Sequence, residues 1–305
     1  MTKKDITKER IVYKPFEYPE AFDYWLKQHQ AHWLHTEVPM MSDVNDWKQN
    51  LTENEKNIIG SILKGFAQTE TVVNDYWTGL VTKWFRKPEI IAMATTFGAM
   101  ETIHAEAYSL LNEELGLDDF SEFLEDETTM AKIETLMNVR DSFNGEKDWH
   151  EIAKSLAIFS AFTEGVNLFS SFAVLLSFKL SNKLKGVGQI VEWSIRDESM
   201  HSDAGCWLFR TLLKENPNLK TPELEAAINE AALLSLQLEL DFIDKVYEMG
   251  DLGYRPIVNG IDSNAVDRMK WFDHLSAGKQ HTDFFANRVT NYSKGHIEWD
   301  AAKIF

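Results

Sequence analysis

The sequence predicts an all-α protein, a bundle of long helices with additional helices around it. Three observations carry this prediction. Glycine and proline are sparse, 15 and 7 in 305 residues; apolar residues recur at three- and four-residue spacing between those punctuation points; and no strand-like alternation of useful length competes.

The helices can be followed in order. Pro19 opens a first helix running toward His32. Thr52 and Glu55 have capping-box spacing at the head of a long apolar-striped stretch that stops near Pro88. Pro88 suits the first turn of the next helix, which reaches Gly116, a natural left-handed stop. Asn144-Gly145 marks a turn, another long helix begins near Asp148, and Gly186 to Gly188 read as its end. Ile190 to about Glu215 forms a further helix closed by Pro217, and Thr221-Pro222 restarts the pattern until Gly250. Several of these stretches span roughly 25 to 30 residues, against a globular mean of about 11 to 12, and short connections between such rods make an antiparallel bundle. No internal repeat and no glycine-rich phosphate loop points to a solenoid or a nucleotide-binding sheet. After about Ala277 the chain turns more polar, so the expected organisation is a helical domain over 1–277 and a flexible tail over 278–305.

Composition narrows the function. Lys and Arg total 31 against 48 Asp and Glu, a formal charge of -17, which repels nucleic-acid phosphates and anionic lipid. The single cysteine, Cys206, forms no internal disulfide and fits a reducing compartment. The first ten residues are charged, and no run of about 18 apolar residues appears. These features predict a cytoplasmic protein that engages neither membrane nor nucleic acid.

Two Glu-x-x-His pairs stand out, Glu101 with His104 and Glu198 with His201. Three residues advance a helix by roughly 300°, so each pair shares a face and both side chains reach one point. Chance placement of 28 Glu and nine His supplies about one such pair, so the pairs alone decide little. The order of further carboxylates decides more: Glu70 and Glu164 lie in the helices preceding the two pair-bearing ones, and the chain reads Glu, Glu-x-x-His, Glu, Glu-x-x-His. This is the established arrangement of ferritin-like di-iron and di-manganese carboxylate proteins. Four carboxylates and two divalent cations sum to a near-neutral cluster, whereas the same carboxylates buried without metal would take up protons. Oxygen and imidazole donors without thiolate suit iron or manganese.

The segments Glu101-Thr102-Ile103-His104 with Tyr108, Thr163-Glu164-Gly165, and Arg196-Asp197-Glu198-Ser199-Met200-His201 match, in order and spacing, the small subunit of class I ribonucleotide reductase. The chain resembles that family from Trp33 to its C-terminus. The resemblance implies that Glu70, Glu101, His104, Glu164, Glu198 and His201 are the ligands of two metal ions per chain, iron first, with manganese or a mixed pair as alternatives. Glu70 stands where most members have Asp. Tyr108, seven residues after Glu101 and so about two turns along the same face, occupies the place of the family's radical tyrosine. Leu168 and Phe172, one and two turns beyond Glu164, would shield it, while Ser194 replaces a more usual apolar residue.

The resemblance further implies electron transfer through Trp33, through Asp197, which bridges that indole to His104, and through Tyr292 in the tail. The ending through Phe305 would dock on a large catalytic subunit, where ribonucleotides become deoxyribonucleotides. A homodimer is implied as well, with an activating flavoprotein if the metal is manganese. Two other readings share the bundle: a di-iron oxygenase or oxidase, not expected to carry Tyr108 with the Tyr292 tail, and a ferritin-like storage protein, expected to form a many-subunit cage. His29, His32 and His35 fall on one helix stripe, but no nearby carboxylate completes a site there.

Overall fold

The computed structural model describes residues 4–117, 119–143 and 147–249, and among these the chain forms helices and turns with no strand. The domain boundary near residue 277, the tail with Tyr292, and the Asn144-Gly145 turn lie outside the described residues.

In chain order the helices are α1 (Pro19–Gln30), α2 (Met41–Gln49), α3 (Glu53–Asp75), a π-helical turn π1 (Tyr76–Val81), α4 (Thr82–Trp84), α5 (Pro88–Leu115), α6 (Ser121–Glu125), α7 (Glu127–Asp141), α8 (Trp149–Leu156), a longer π-helical segment π2 (Ala157–Asn167), α9 (Phe169–Leu180), α10 (Lys185–Glu215) and α11 (Pro222–Met249). Four rods make the bundle: α3 lies against α5, and the α8–π2–α9 rod lies against α10. Helix α1 crosses α5, and α11 covers π2 and α7. One apolar core runs through all of them, from Ile58 and Phe66 on α3 to Phe172 on α9 and Phe209 on α10.

The expected punctuation accounts for most boundaries. Thr52 accepts from the Glu55 N–H while the Glu55 carboxylate accepts from the Thr52 N–H at 2.7 Å, so two orphan donors of α3 are satisfied together. Pro88 opens α5, and Gly116 closes it at φ 72. Asp148 caps α8 through the His150 N–H.

One boundary differs from the expectation. Gly186 and Gly188 do not end the preceding helix, which stops at Leu180; they lie in the first turn of α10. The reason is a tertiary cap. The buried Asp43 carboxylate on α2 accepts from the N–H groups of Gly186 at 3.0 Å and Val187 at 2.8 Å. A Cβ at position 186 would press against Asp43 and Met40, so glycine here serves close approach rather than chain termination. Helices α2, α6 and α7 were not anticipated.

The rod Trp149–Leu180 is, among the described residues, the one helical stretch long and apolar enough to cross a membrane, although no unbroken apolar run marks it; 94% of its most apolar window is buried inside the protein, as befits a core helix. It meets α10 very closely at one point, where Gly205 faces Ser160 and any Cβ would overlap the serine side chain.

Candidate metal centre

Each rod brings one part of the site. Glu70 comes from α3, Glu101 and His104 from α5, Glu164 from π2, and Glu198 and His201 from α10; all six side chains are fully buried. Their donor atoms fall into two groups close enough for each to grip one ion: Glu70, Glu101, His104 and Glu198 in the first, and Glu101, Glu164, Glu198 and His201 in the second. Glu101 and Glu198 belong to both, so they stand between two positions that Glu70 with His104 and Glu164 with His201 flank. Every Glu and His of the two Glu-x-x-His pairs is thus brought together with Glu70 and Glu164, and the glutamate of each pair is shared between the two positions.

The imidazoles point the same way. His104 Nδ1 lies 3.0 Å from Glu101 Oε2 and 2.9 Å from Glu198 Oε1, and His201 Nδ1 lies 2.6 Å from Glu101 Oε1. Both rings turn Nε2 outward, His104 to Asp197 Oδ2 at 3.2 Å and His201 to the Gln28 carboxamide oxygen at 2.9 Å. The outward partners fix ring orientation and leave Nδ1 for the cluster.

Burial and repulsion shape the charges. Burial raises Glu70 well above the usual carboxylate range, and the carboxylates of Glu198 and Glu101 add to it. Burial likewise lifts Glu164, helped by Glu101 and Glu198 against the opposing pull of His201. Burial also pushes Glu101 up, but His201 and His104 outweigh it and bring the group down to about 2. For both histidines burial favours the neutral ring, yet Glu101 and its neighbours raise His104 and His201 well above their ordinary value. Without cations the cluster holds protons to balance its charge, and bound divalent ions would displace them.

The donor set fits a metal pair on a second ground. Glu70 Oε1 and Oε2, Glu101 Oε1, Glu164 Oε2, Glu198 Oε1 and Oε2 and His201 Nδ1 are buried without an aligned hydrogen bond among the described residues. Polar atoms in such a setting cost free energy, and cations at the two shared positions would satisfy them together.

Tyr108 is fully buried on α5, and its hydroxyl donates to Ser194 Oγ at 2.8 Å. Burial raises its pKa strongly, with Glu70 as the next cause. The Phe66 ring packs on it at a centroid distance of 4.9 Å and in turn meets Phe172 at 4.9 Å; Leu168 is buried as well. Trp33 is fully buried and donates through Nε1 to Asp197 Oδ2 at 2.7 Å, the same oxygen that faces His104. Burial opposes ionisation of Asp197, but Arg196 and His104 hold it down to about 2. His29, His32 and His35 join neither donor group.

Two participants were missed. Gln28 carries no motif, and its contact with His201 exists only because α1 crosses the bundle. Trp77, on π1, donates through Nε1 to Glu164 Oε1 at 2.7 Å; its place seven residues after Glu70 was the available signal.

The family model described as "Ribonucleotide reductase, small chain" matches residues 10–264. A protein of Invertebrate iridescent virus 6 named as a probable ribonucleoside-diphosphate reductase small subunit is 38% identical over 94% of this chain and 95% of its own length. One of Invertebrate iridescent virus 3 with the same description is 34% identical over 96% and 86%. Among solved structures, the ribonucleotide reductase R2 subunit from Clostridium botulinum superposes with a TM-score of 0.78 at 16% identity, covering 95% of this chain and 99% of that one, a likeness that speaks to the ferritin-like fold.

Proposed function

The chain belongs to the ribonucleotide reductase small-chain family, and we propose that it is the radical-generating subunit of a class I ribonucleoside-diphosphate reductase, with Tyr108 as the residue that stores the oxidising equivalent. The observation that carries this reading is the buried phenol beside the carboxylate–histidine cluster, oriented by one hydrogen bond and walled by aromatic rings.

Glu70, Glu101, His104, Glu164, Glu198 and His201 hold the two ions. When bound, the ions supply electrons that reduce dioxygen and so provide an oxidant able to take an electron and a proton from a phenol. The rest is the work of the chain. Ser194 fixes the direction of the Tyr108 O–H, and Phe66, Phe172 and Leu168 keep water and stray reductants from the oxidised ring. Asp197 joins the His104 imidazole to the Trp33 indole through one oxygen, a continuous route for an electron leaving Trp33. The oxidising equivalent then reaches Tyr292 and the large subunit, which is the family's partner and the place of ribonucleotide reduction.

Within this proposal the metal pair is di-iron; manganese or a mixed pair satisfies the same oxygen and nitrogen donors, and manganese loading brings in an activating flavoprotein. The protein works in the cytoplasm as a homodimer. The test is electron paramagnetic resonance after aerobic loading with ferrous iron. A phenoxyl signal is expected in the unaltered protein and none in Tyr108→Phe that still holds its metal; an unchanged signal in that variant would overturn the assignment. Metal analysis of protein from its own host decides between iron and manganese.

A further inference from the structure

We propose that Trp77, Tyr76 and Trp84 form a second electron path, which enters the centre on its Glu164–His201 side and delivers an electron from an external one-electron reductant. The proposal rests on the reading of the site given above. It starts from stoichiometry. Reducing dioxygen to the level of water takes four electrons; two divalent ions becoming trivalent give two, and Tyr108 gives a third together with its proton. The fourth must come from outside, with the remaining three protons drawn from solvent.

Three oxidisable rings in sequence lead toward the cluster. Trp77 is fully buried, its indole N–H binds Glu164, and its ring lies 6.5 Å from the His201 ring between centroids. The Tyr76 ring is 5.9 Å from Trp77, and the Trp84 ring is 6.0 Å from Tyr76. All three are edge-on contacts, and separations of this order allow electrons to tunnel from ring to ring. Tyr76 is held by a stacked Phe159 ring at 3.9 Å, with its hydroxyl 3.3 Å from Ser155 Oγ. Trp84 ends the series at 3% exposure, covered by the partly buried Phe143 and flanked by the exposed Lys83 and Arg86. The chain therefore stops one layer below solvent.

Tyr76 and Trp77 are consecutive and both fully buried, and they open π1, a wider turn than the α-helix before it. Packing alone would be served by aliphatic side chains at 76 and 84; oxidisable rings in mutual contact add a conducting capacity.

In the proposed step Trp77 gives one electron to the oxidised centre, Trp84 refills it across the Tyr76 ring, and a reductant of the ascorbate class refills Trp84. No bond is made or broken on either indole, and the ascorbate anion becomes its one-electron-oxidised radical.

The test uses the full chain, loaded with ferrous iron, mixed with dioxygen and freeze-quenched for electron paramagnetic resonance. Without ascorbate, a transient signal that narrows on ring-deuteration of tryptophan is expected, retained in Trp33→Phe and lost in Trp77→Phe. With ascorbate, Trp84→Phe and Tyr76→Phe should each slow the decay of that signal several-fold. Absence of any tryptophan signal, or its persistence in Trp77→Phe with loss in Trp33→Phe, overturns the proposal. Should Trp77→Phe fail to bind iron, the Trp84 and Tyr76 variants, which touch no proposed ligand, decide: unchanged decay in both rejects the path. Failure of the Tyr108 reading shows separately, as a phenoxyl signal that survives Tyr108→Phe.

Discussion

The two halves of the centre use the same ligand types and differ in what stands behind them. Behind His104 is Asp197, an ionised carboxylate backed by Arg196 and the Trp33 indole. Behind His201 is Gln28, a neutral amide, and the tryptophan on that side binds the cluster carboxylate Glu164 directly instead of a bridging acid. A carboxylate partner makes an imidazole a stronger donor than an amide does. The difference teaches that near-symmetric motifs acquire unequal surroundings: the His104 imidazole meets a carboxylate that also binds the Trp33 indole, whereas the His201 imidazole meets a neutral amide and has the Trp77 ring 6.5 Å away.

The most severe way to break the comparison is to remove what the halves share. Glu101→Ala takes a donor from both groups at once, and metal analysis is expected to find both ions lost, where Glu70→Ala empties chiefly the His104 side. Next comes the asymmetry itself. Asp197→Asn should weaken metal affinity by about 10- to 100-fold at the His104 site, and Gln28→Ala by about tenfold at the His201 site alone; equal losses at both sites in competition titrations would erase the distinction. A smaller effect belongs to the phenol. Ser194→Ala leaves the buried Tyr108 hydroxyl without its acceptor and should cost about 1–3 kcal/mol in denaturant melts while metal loading stays at the level of the unaltered protein. The smallest is a control remote from the cluster: Thr52→Ala removes the α3 cap, lowers stability by about 1 kcal/mol, and changes neither site.

Much of this architecture was readable from local chemistry. Pro88, Gly116, Asp148 and the Thr52–Glu55 box act within a few residues of themselves, so their effects survive whatever packs around them. The convergence of Glu101 with His104 and of Glu198 with His201 was readable for the same reason, since i to i+3 spacing is a property of a single helix. What escaped was made by contact between elements. Gly186 looked like a stop because its cap, Asp43, lies 143 residues away. Helix α7 buries only Thr129, Ile133 and Leu136, too thin a stripe to announce itself. The π segments carry no proline or glycine signature that sets them apart, and Gln28 and Trp77 became partners of the cluster only through the crossing of α1 and the altered turn after α3.

The meeting of Gly205 with Ser160 has a mechanical consequence. Gly205 lies four residues beyond His201, and Ser160 four residues before Glu164, so this bare contact lies one short step along the chain from two donors of one candidate ion position. It works as a gauge block: a residue with no donor atom sets how near two load-bearing beams come, and thereby the bite of the jaw they carry. Selection on the reach of that jaw would act on a position that never touches the cargo.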